Sequence, residues 1–307
     1  MKNNLSLYIR QLKIPLTLMI VFWVIAVAFW QTKGNIFFLF NFGYIGTSIG
    51  LGVGIYEILP KKKKRWGRRL AQILVGTYML VFLGIIEKEN MQIEGFFLYL
   101  LAGLFSGSAI HYLVAKLAGP VIFNRGWCGW SCWTAMILDL LPFKRNKSGR
   151  LSRKWDFLPY VSFALSLGSV LVLWYGFGQR VDSPIFAPMV WLLVGNSLYY
   201  VIGIALAYKL KDNRAFCKYV CPVPVLQKIP SRFAMLKVEG SAEKCTECRA
   251  CDKMCPMDIQ VSQYTQANQR VLSTECILCN ECVDVCVQDA LKLSFGFDFG
   301  NRELLNR

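Results

Sequence analysis

Eight cysteines between positions 245 and 286 have the spacing of iron–sulfur ligands. They form C-x2-C-x2-C-x3-C twice, and Pro256 follows the first copy. In a run with this spacing, three thiolates hold one [4Fe–4S] cube and the fourth reaches across to the other cube. The spacing therefore predicts two [4Fe–4S] clusters, whose ligand sets are Cys245, Cys248, Cys251 and Cys286 for cluster 1, and Cys276, Cys279, Cys282 and Cys255 for cluster 2.

A pair of zinc sites or a disulfide scaffold is the alternative reading of these cysteines. A zinc site needs two C-x2-C pairs per metal, without the additional C-x2-C-x3-C continuation. Disulfides also require an oxidising compartment, whereas cluster ligands must remain free thiolates. We therefore favour iron–sulfur clusters in an α+β domain over residues 241–293. Because such a domain buries little apolar surface, metal ligation must supply much of its folding free energy.

Four more cysteines form two C-x3-C pairs, Cys128/Cys132 and Cys217/Cys221. On a helix, residues at i and i+4 share one face, so each pair could bind one centre. Together they would make a four-thiolate site suited to an iron–sulfur cluster, Cu(I) or zinc. Four buried free cysteines are the alternative. The pairs lie 89 residues apart in similar contexts, which predicts an internal duplication and a hypothetical third centre.

The chain upstream of residue 212 is apolar enough for a membrane. The 307 residues are 55% hydrophobic, with a mean hydropathy of +0.39, against about 45–50% apolar residues in soluble proteins. Glycines at 46, 50 and 54 predict close packing between helices. We expect an α-helical membrane protein with six transmembrane helices, each long enough to cross roughly 30 Å, over residues 14–30, 36–59, 70–86, 95–117, 157–177 and 185–210.

Basic residues predict which side of the membrane each loop occupies. The N-terminal segment, residues 61–69, residues 116–154 and the chain from Lys209 onward hold 3, 7, 8 and 14 lysines and arginines, whereas the opposite loops hold only Lys33, Lys88 and Arg180. Both termini, the C-x3-C pairs and the cluster domain should therefore be cytoplasmic, in the inner membrane of a prokaryote. This placement explains the net charge of +16 without a nucleic-acid partner.

These segments predict a domain order that starts with transmembrane helices 1–3. The second segment carries helices 4–6 and the first C-x3-C pair, and a connector carries the second pair. The cluster domain and a short tail follow. The boundaries are 1–94, 95–211, 212–240, 241–293 and 294–307.

Two C-x3-C pairs followed by two cluster-ligand runs, all after transmembrane helices, make the chain resemble the membrane polyferredoxins of the NapH/MauN type. NosR and the CcoG/RdxA/FixG group are more distant relatives. The resemblance covers residues 95–293. Trp133 and Val287 stand where the family usually has proline, six helices exceed the usual four, and the flavin-binding domain of NosR is absent. The resemblance implies electron delivery from a cytoplasmic donor or the quinol pool towards an extracytoplasmic redox system. In CcoG-like relatives the short pairs are associated with copper reduction.

Three functions follow from these features. The first is a membrane-anchored electron-transfer subunit that serves a redox partner such as a flavoprotein, a quinol-oxidising subunit or another electron-transfer protein. The second is a copper reductase or maturation factor that uses the C-x3-C pairs. The third is a structural anchor, which the complete ligand sets argue against. There is no Walker motif, and His111 is the only histidine, so acid–base catalysis has few candidate residues.

Overall fold

The computed structural model describes residues 2–105, 107–143, 151–181, 188–298 and 303–304. It contains two compact units, Met1–Thr77 with Trp130–Trp133, and Tyr78–Gly129 with Thr134–Arg307. Half of the predicted tail, residues 299–302 and 305–307, and the first residues of the predicted sixth helix, 185–187, lie outside the described residues.

Helices make up most of the described chain, together with one two-stranded sheet. Helical segments of the π type cover Tyr78–Ile86, Tyr112–Ala118 and Val172–Gly176. The helices are α1 Lys2–Lys33, α2 Ile36–Ile58, α3 Arg65–Thr77, α4 Ile93–Leu101, α5 Gly107–His111, α6 Gly119–Phe123, α7 Gly126–Trp130, α8 Trp133–Leu138, α9 Leu158–Leu171, α10 Pro188–Leu210, α11 Ala215–Tyr219, α12 Val223–Ser231, α13 Ala250–Met254, α14 Val261–Gln266 and α15 Glu281–Val285, and the strands are β1 Leu236–Gly240 and β2 Leu291–Phe295.

Within the part of the chain that the structure describes, five helical segments are long and apolar enough to cross a membrane. Large apolar side chains on them face outward, among them Val24, Leu165 and Val201, which are 62%, 68% and 67% exposed. A protein surrounded by water rarely exposes so many large apolar side chains along its helices, and the chain is therefore a multi-pass membrane protein. The candidate spans are Gln11–Lys33, Ile36–Ile58, Lys61–Ile86, Leu158–Gly176 and Pro188–Leu210.

The basic stretch at residues 61–69 was predicted to be a loop. It instead begins the third span. Lys61–Lys63 form a 3-10 turn, and α3 starts at Arg65. Lysine and arginine side chains at a helix end can extend their charged groups to the membrane surface, so the polybasic segment needs no separate loop.

The fourth predicted helix, residues 95–117, is not continuous. α4 ends at Leu101, and Gly103 follows with a φ of +68°. The amide of Gly103 donates to Leu100 O, and that of Leu104 donates to Tyr99 O, which is the hydrogen-bond pattern of a Schellman motif closing a helix. The chain resumes as an apolar helical segment over Ser108–Phe123. The expectation of six uninterrupted spans was wrong at this segment, because a left-handed glycine stops the helix.

Small residues bring α1, α2 and α3 close together. A Cβ added to Gly46 would lie 2.2 Å from Cβ of Phe22 in α1. A Cβ added to Gly52 would lie 2.4 Å from Cβ of Ala71 in α3. The expected role of Gly46 in helix packing is confirmed, and Gly52 extends that role to a second neighbour.

The C-terminal domain is built on the antiparallel pair β1–β2. Leu236 pairs with Phe295, and Gly240 pairs with Leu291. α13 and α15 pack together, and a buried core that includes Val238 and Tyr264 lies among the cysteine loops. This arrangement has the α+β class that the cysteine spacing predicted, and its sheet includes Leu236–Gly240, which precede the predicted boundary at residue 241.

Candidate functional site

The two C-x2-C-x2-C loops have matching backbone conformations, 31 residues apart. Glu247 and Leu278 have φ values of 56° and 48°, and Arg249 and Asn280 have φ values of 56° and 61°. Left-handed backbone is uncommon for residues other than glycine, so its recurrence at equivalent positions reflects a shared loop geometry. In each loop a five-residue helix, α13 or α15, begins directly after the second left-handed residue and carries the third cysteine.

Backbone amides point at the last cysteine of each run. The amide of Ile259 donates to Cys255 Sγ at 3.4 Å, and the amide of Ala290 donates to Cys286 Sγ at 3.3 Å. Donors of this kind stabilise a thiolate and are one way in which a protein adjusts the potential of an iron–sulfur cluster.

One predicted ligand set lines a single apolar cavity. Cys276, Cys279 and Cys282 line it together with Cys255 from the first run, beside Met257, Val271 and Leu278. Cys255, Cys279 and Cys282 are buried, whereas Cys248 of the other predicted set is exposed, and Cys245, Cys251 and Cys286 are half-buried.

Burial changes the chemistry of these thiols. It raises the pKa of Cys255 and of Cys276 to about 12, and it raises the pKa of Cys282 well above the usual value. Without metal, these thiols are protonated at neutral pH. Metal binding therefore has to displace protons.

The residues fit an iron–sulfur cluster better than a single metal ion. Among the described residues, no three Cys, His, Asp or Glu side chains converge closely enough to hold one ion. In a cube each thiolate binds a different iron, so its ligands need not converge on one point. An all-cysteine donor set around an apolar cavity, with amides directed at sulfur, suits that requirement.

Each C-x3-C pair has its first cysteine in a short helix and its second just beyond that helix. Cys128 lies in α7, and Cys132 precedes α8. Cys217 lies in α11, and Cys221 follows it. The expectation that both members share one helix face was therefore wrong. Pro222 gives one physical reason, since it disfavours helical backbone at the preceding residue.

The predictions from the sequence did not include Arg214, a buried arginine near the two pairs. Arg214 pairs with Asp139 through Nε–Oδ1 and Nη2–Oδ2 distances of 2.8 and 2.6 Å. Its Nη1 donates to Cys128 O at 3.1 Å and lies 3.8 Å from Cys217 Sγ. One guanidinium thus touches both C-x3-C segments.

A sequence signal for this arginine exists. Asn124-Arg125 and Asn213-Arg214 both stand three residues before the first cysteine of a pair, 89 residues apart. This Asn-Arg repeat extends the similarity between the two C-x3-C segments beyond their cysteines.

Comparisons with known proteins match the same segments. A family model described as "4Fe-4S dicluster domain" matches residues 237–287. A second, described as "4Fe-4S binding domain", matches twice, at residues 108–153 and 196–238, and each match contains one C-x3-C pair. No solved structure matches the chain.

Relatives of the chain include named ferredoxin-type proteins. An uncharacterised protein of Methanocaldococcus jannaschii is 28% identical over 237 residues, covering 74% of this chain and 86% of the relative. Ferredoxin-type protein NapH of Haemophilus influenzae is 24% identical, covering 62% and 68%. Methylamine utilization ferredoxin-type protein MauN of Methylobacillus flagellatus is 27% identical, covering 51% and 59%. The two family models and these relatives make the chain similar to the membrane polyferredoxins of the NapH type.

Buried ion pairs join both C-x3-C segments to the cluster domain. Lys218, inside the second pair, lies 2.5 Å from carboxylate oxygens of Asp212 and Asp258. Arg125, before the first pair, lies 2.6 Å from Glu275, the residue before Cys276. The cluster domain is therefore fixed to the segments that carry the short pairs.

Proposed function

We propose that this chain passes single electrons between a cytoplasmic donor or the quinol pool and a membrane or extracytoplasmic redox partner. The cavity lined by Cys255, Cys276, Cys279 and Cys282 carries the proposal, since it lies in the segment that the dicluster family model matches. The partner we propose is a flavoprotein, a quinol-oxidising subunit or another electron-transfer protein. The chain would act as a redox subunit rather than as a complete enzyme.

Two cubes would be held by the ligand sets given above, and they would supply one-electron redox chemistry. The chain itself supplies backbone amides that donate hydrogen bonds to the sulfurs of Cys255 and Cys286, and its fold keeps water away from the buried Cys279 and Cys282. Anaerobic purification of the full chain should give about eight irons from these two cubes. Cys248→Ser and Cys279→Ser should each alter a different cube in electron paramagnetic resonance spectra.

A third centre at the C-x3-C pairs is a further part of the proposal. Its support is that the "4Fe-4S binding domain" model matches both segments that contain the pairs, which also favours internal duplication. A cube at Cys128, Cys132, Cys217 and Cys221 would raise the iron content to about twelve. Replacing these four cysteines with serine should return it to about eight. A value of about eight in both proteins would eliminate a cluster there.

We also propose that the cluster domain faces the cytoplasm of a prokaryotic inner membrane. For this to hold, the interrupted segment from Ile93 to Phe123 must cross the bilayer, and the eight basic residues at 116–154 favour that crossing. Broken helices are tolerated at membrane depth where protein surrounds the break. In sealed inner-membrane vesicles with the cytoplasmic face outward, added protease should cleave the cluster domain. Cleavage only in vesicles of the opposite orientation would reverse the assignment.

Copper reduction is the second candidate, and the half-buried sulfurs of the short pairs favour it. Thiolate pairs suit Cu(I), and their partial exposure gives an ion access. Cu(I) binding that disappears in Cys128→Ser/Cys217→Ser, with both cubes intact, would support this function. Equal Cu(I) binding with and without these two cysteines would exclude it.

A further inference from the structure

The two predicted cubes differ in what surrounds them. A Cβ added to Gly129, next to Cys128, would lie 2.2 Å from Ile277 O, so the first C-x3-C segment is pressed against the Cys276–Cys279 loop. Within the second C-x3-C segment, Lys218 reaches Asp258, three residues after Cys255. Both contacts are made with segments that carry ligands of cluster 2.

Arg125 is a buried charge at the contact between the first C-x3-C segment and the Cys276–Cys279 loop. It is 1% exposed, its backbone amide donates to Cys276 O at 3.2 Å, and its Nη1 lies 2.6 Å from Glu275 Oε2. Lys228 Nζ lies 3.0 Å from the other oxygen of Glu275. Arg125 belongs to the segment before α7, outside the cluster domain, and yet it lies beside that domain's second cysteine loop.

A cation in this position favours negative charge on cluster 2. Reduction adds one negative charge to a cube, and net charge and solvent exposure are among the factors that set cluster potentials. Charges act more strongly where water is excluded. Cluster 1, with exposed Cys248, lies where solvent screens such effects more.

We propose that the Arg125–Glu275 pair sets the reduction potential of cluster 2 but not that of cluster 1. The segment before the first C-x3-C pair would thereby adjust the potential of the cube whose ligand loop it contacts. The inference rests on the proposed presence of two cubes. Arg125 acts as a positioning and charge-supplying residue rather than as a ligand. Cluster 2 is then the cube adapted to exchange electrons with the C-x3-C segments, and cluster 1, with its exposed cysteine, faces an external partner.

The test is a redox titration of the full chain in detergent, followed by electron paramagnetic resonance. Arg125→Gln removes a positive charge and should shift the potential of one cube to more negative values. Glu275→Gln removes a negative charge and should shift the same cube to more positive values. The double variant should return close to the original potential, and Arg125→Lys, which keeps the charge, should leave the potential nearly unchanged.

Controls assign the shift to one cube. Cys248→Ser and Cys279→Ser identify the two signals, and only the signal altered by Cys279→Ser should respond to the charge variants. Lys292→Gln removes a cation from an exposed ion pair with Glu239 and should move neither cube. With two cubes present, equal shifts of both cubes, shifts of one sign in both single-charge variants, or no shift would overturn this inference alone. Absence of two cubes from the unaltered protein would instead overturn the proposed function.

Discussion

The Asn-Arg repeat before the C-x3-C pairs shows how equivalent residues take different partners. Arg214 pairs with Asp139 and touches Cys128 and Cys217. Arg125, at the corresponding position, pairs instead with Glu275 of the cluster domain. The repeat is visible in the sequence, but the two carboxylates are not, because they lie 75 residues before one arginine and 150 residues after the other. Cluster-ligand spacing is local and could be read directly; these partners depend on the tertiary fold.

Lys218 gives a residue-scale prediction about stability. Its ammonium is fully buried between Asp212 and Asp258, whose side chains are 2% and 3% exposed. Removing one member of a buried ion pair leaves an uncompensated charge and typically costs about 3–5 kcal/mol. Lys218→Gln should therefore lower the unfolding temperature of the full chain in detergent, measured by intrinsic fluorescence or light scattering.

Lys292→Gln is the matched control for Lys218→Gln. Lys292 pairs with Glu239 at 3.5 Å, but the two side chains are 72% and 39% exposed, and water screens such surface pairs. We expect little change in unfolding temperature. If both variants lowered the unfolding temperature equally, the buried ion pairs of Lys218 would contribute no more to stability than the exposed pair of Lys292.

Among the elements, the membrane helices were the most predictable part of the fold. Runs of apolar residues indicated the first, second, third, fifth and sixth segments, because membrane thickness fixes their minimum length. The interruption after Leu101 was not predicted, since Gly103 sits in an apolar run and a glycine there is compatible with either a continuous helix or a cap. Only the hydrogen bonds of Gly103 and Leu104 distinguish the two.

The contact between α1 and α2 gives an element-scale prediction. Gly46→Ala adds a methyl group 2.2 Å from Cβ of Phe22, so the helices must separate or Phe22 must move. Overpacking of this kind typically costs about 1–3 kcal/mol. The unfolding temperature of the full chain should fall.

Gly168→Ala provides the comparison for Gly46→Ala. Gly168 lies in α9, and a Cβ there would meet nothing within 4 Å. Alanine also has a higher helix propensity than glycine, so the unfolding temperature should stay the same or rise. A similar loss in both variants would show that glycine at position 46 is not required by the contact with α1.

At the scale of the whole molecule, the cubes are expected to be part of the fold. The cluster domain has one two-stranded sheet and short helices, and several of its core side chains are the cysteines themselves. Without metal, these buried thiols lose the ligation that supplies much of the folding free energy. We expect residues 241–293 to become disordered when iron is removed, while the membrane helices persist.

Limited trypsin digestion tests this expectation. After anaerobic chelation of iron from the full chain, cleavage at Lys244, Arg249 and Lys253 should accelerate strongly relative to the iron-loaded protein. Mass spectrometry identifies the sites. Unchanged protection of these sites in iron-free protein would mean that packing alone holds the domain together.

The pairing of Arg125 with Glu275 also has a consequence for biosynthesis. The two residues are 150 positions apart, so Arg125 leaves the ribosome long before Glu275 is synthesised. β1 likewise cannot form its sheet until β2, whose last residue is Phe295, has been synthesised. Until then, the guanidinium needs water or an assisting protein to solvate it. We therefore expect the helices to insert into the bilayer before the cluster domain closes, and iron to be delivered during the later event.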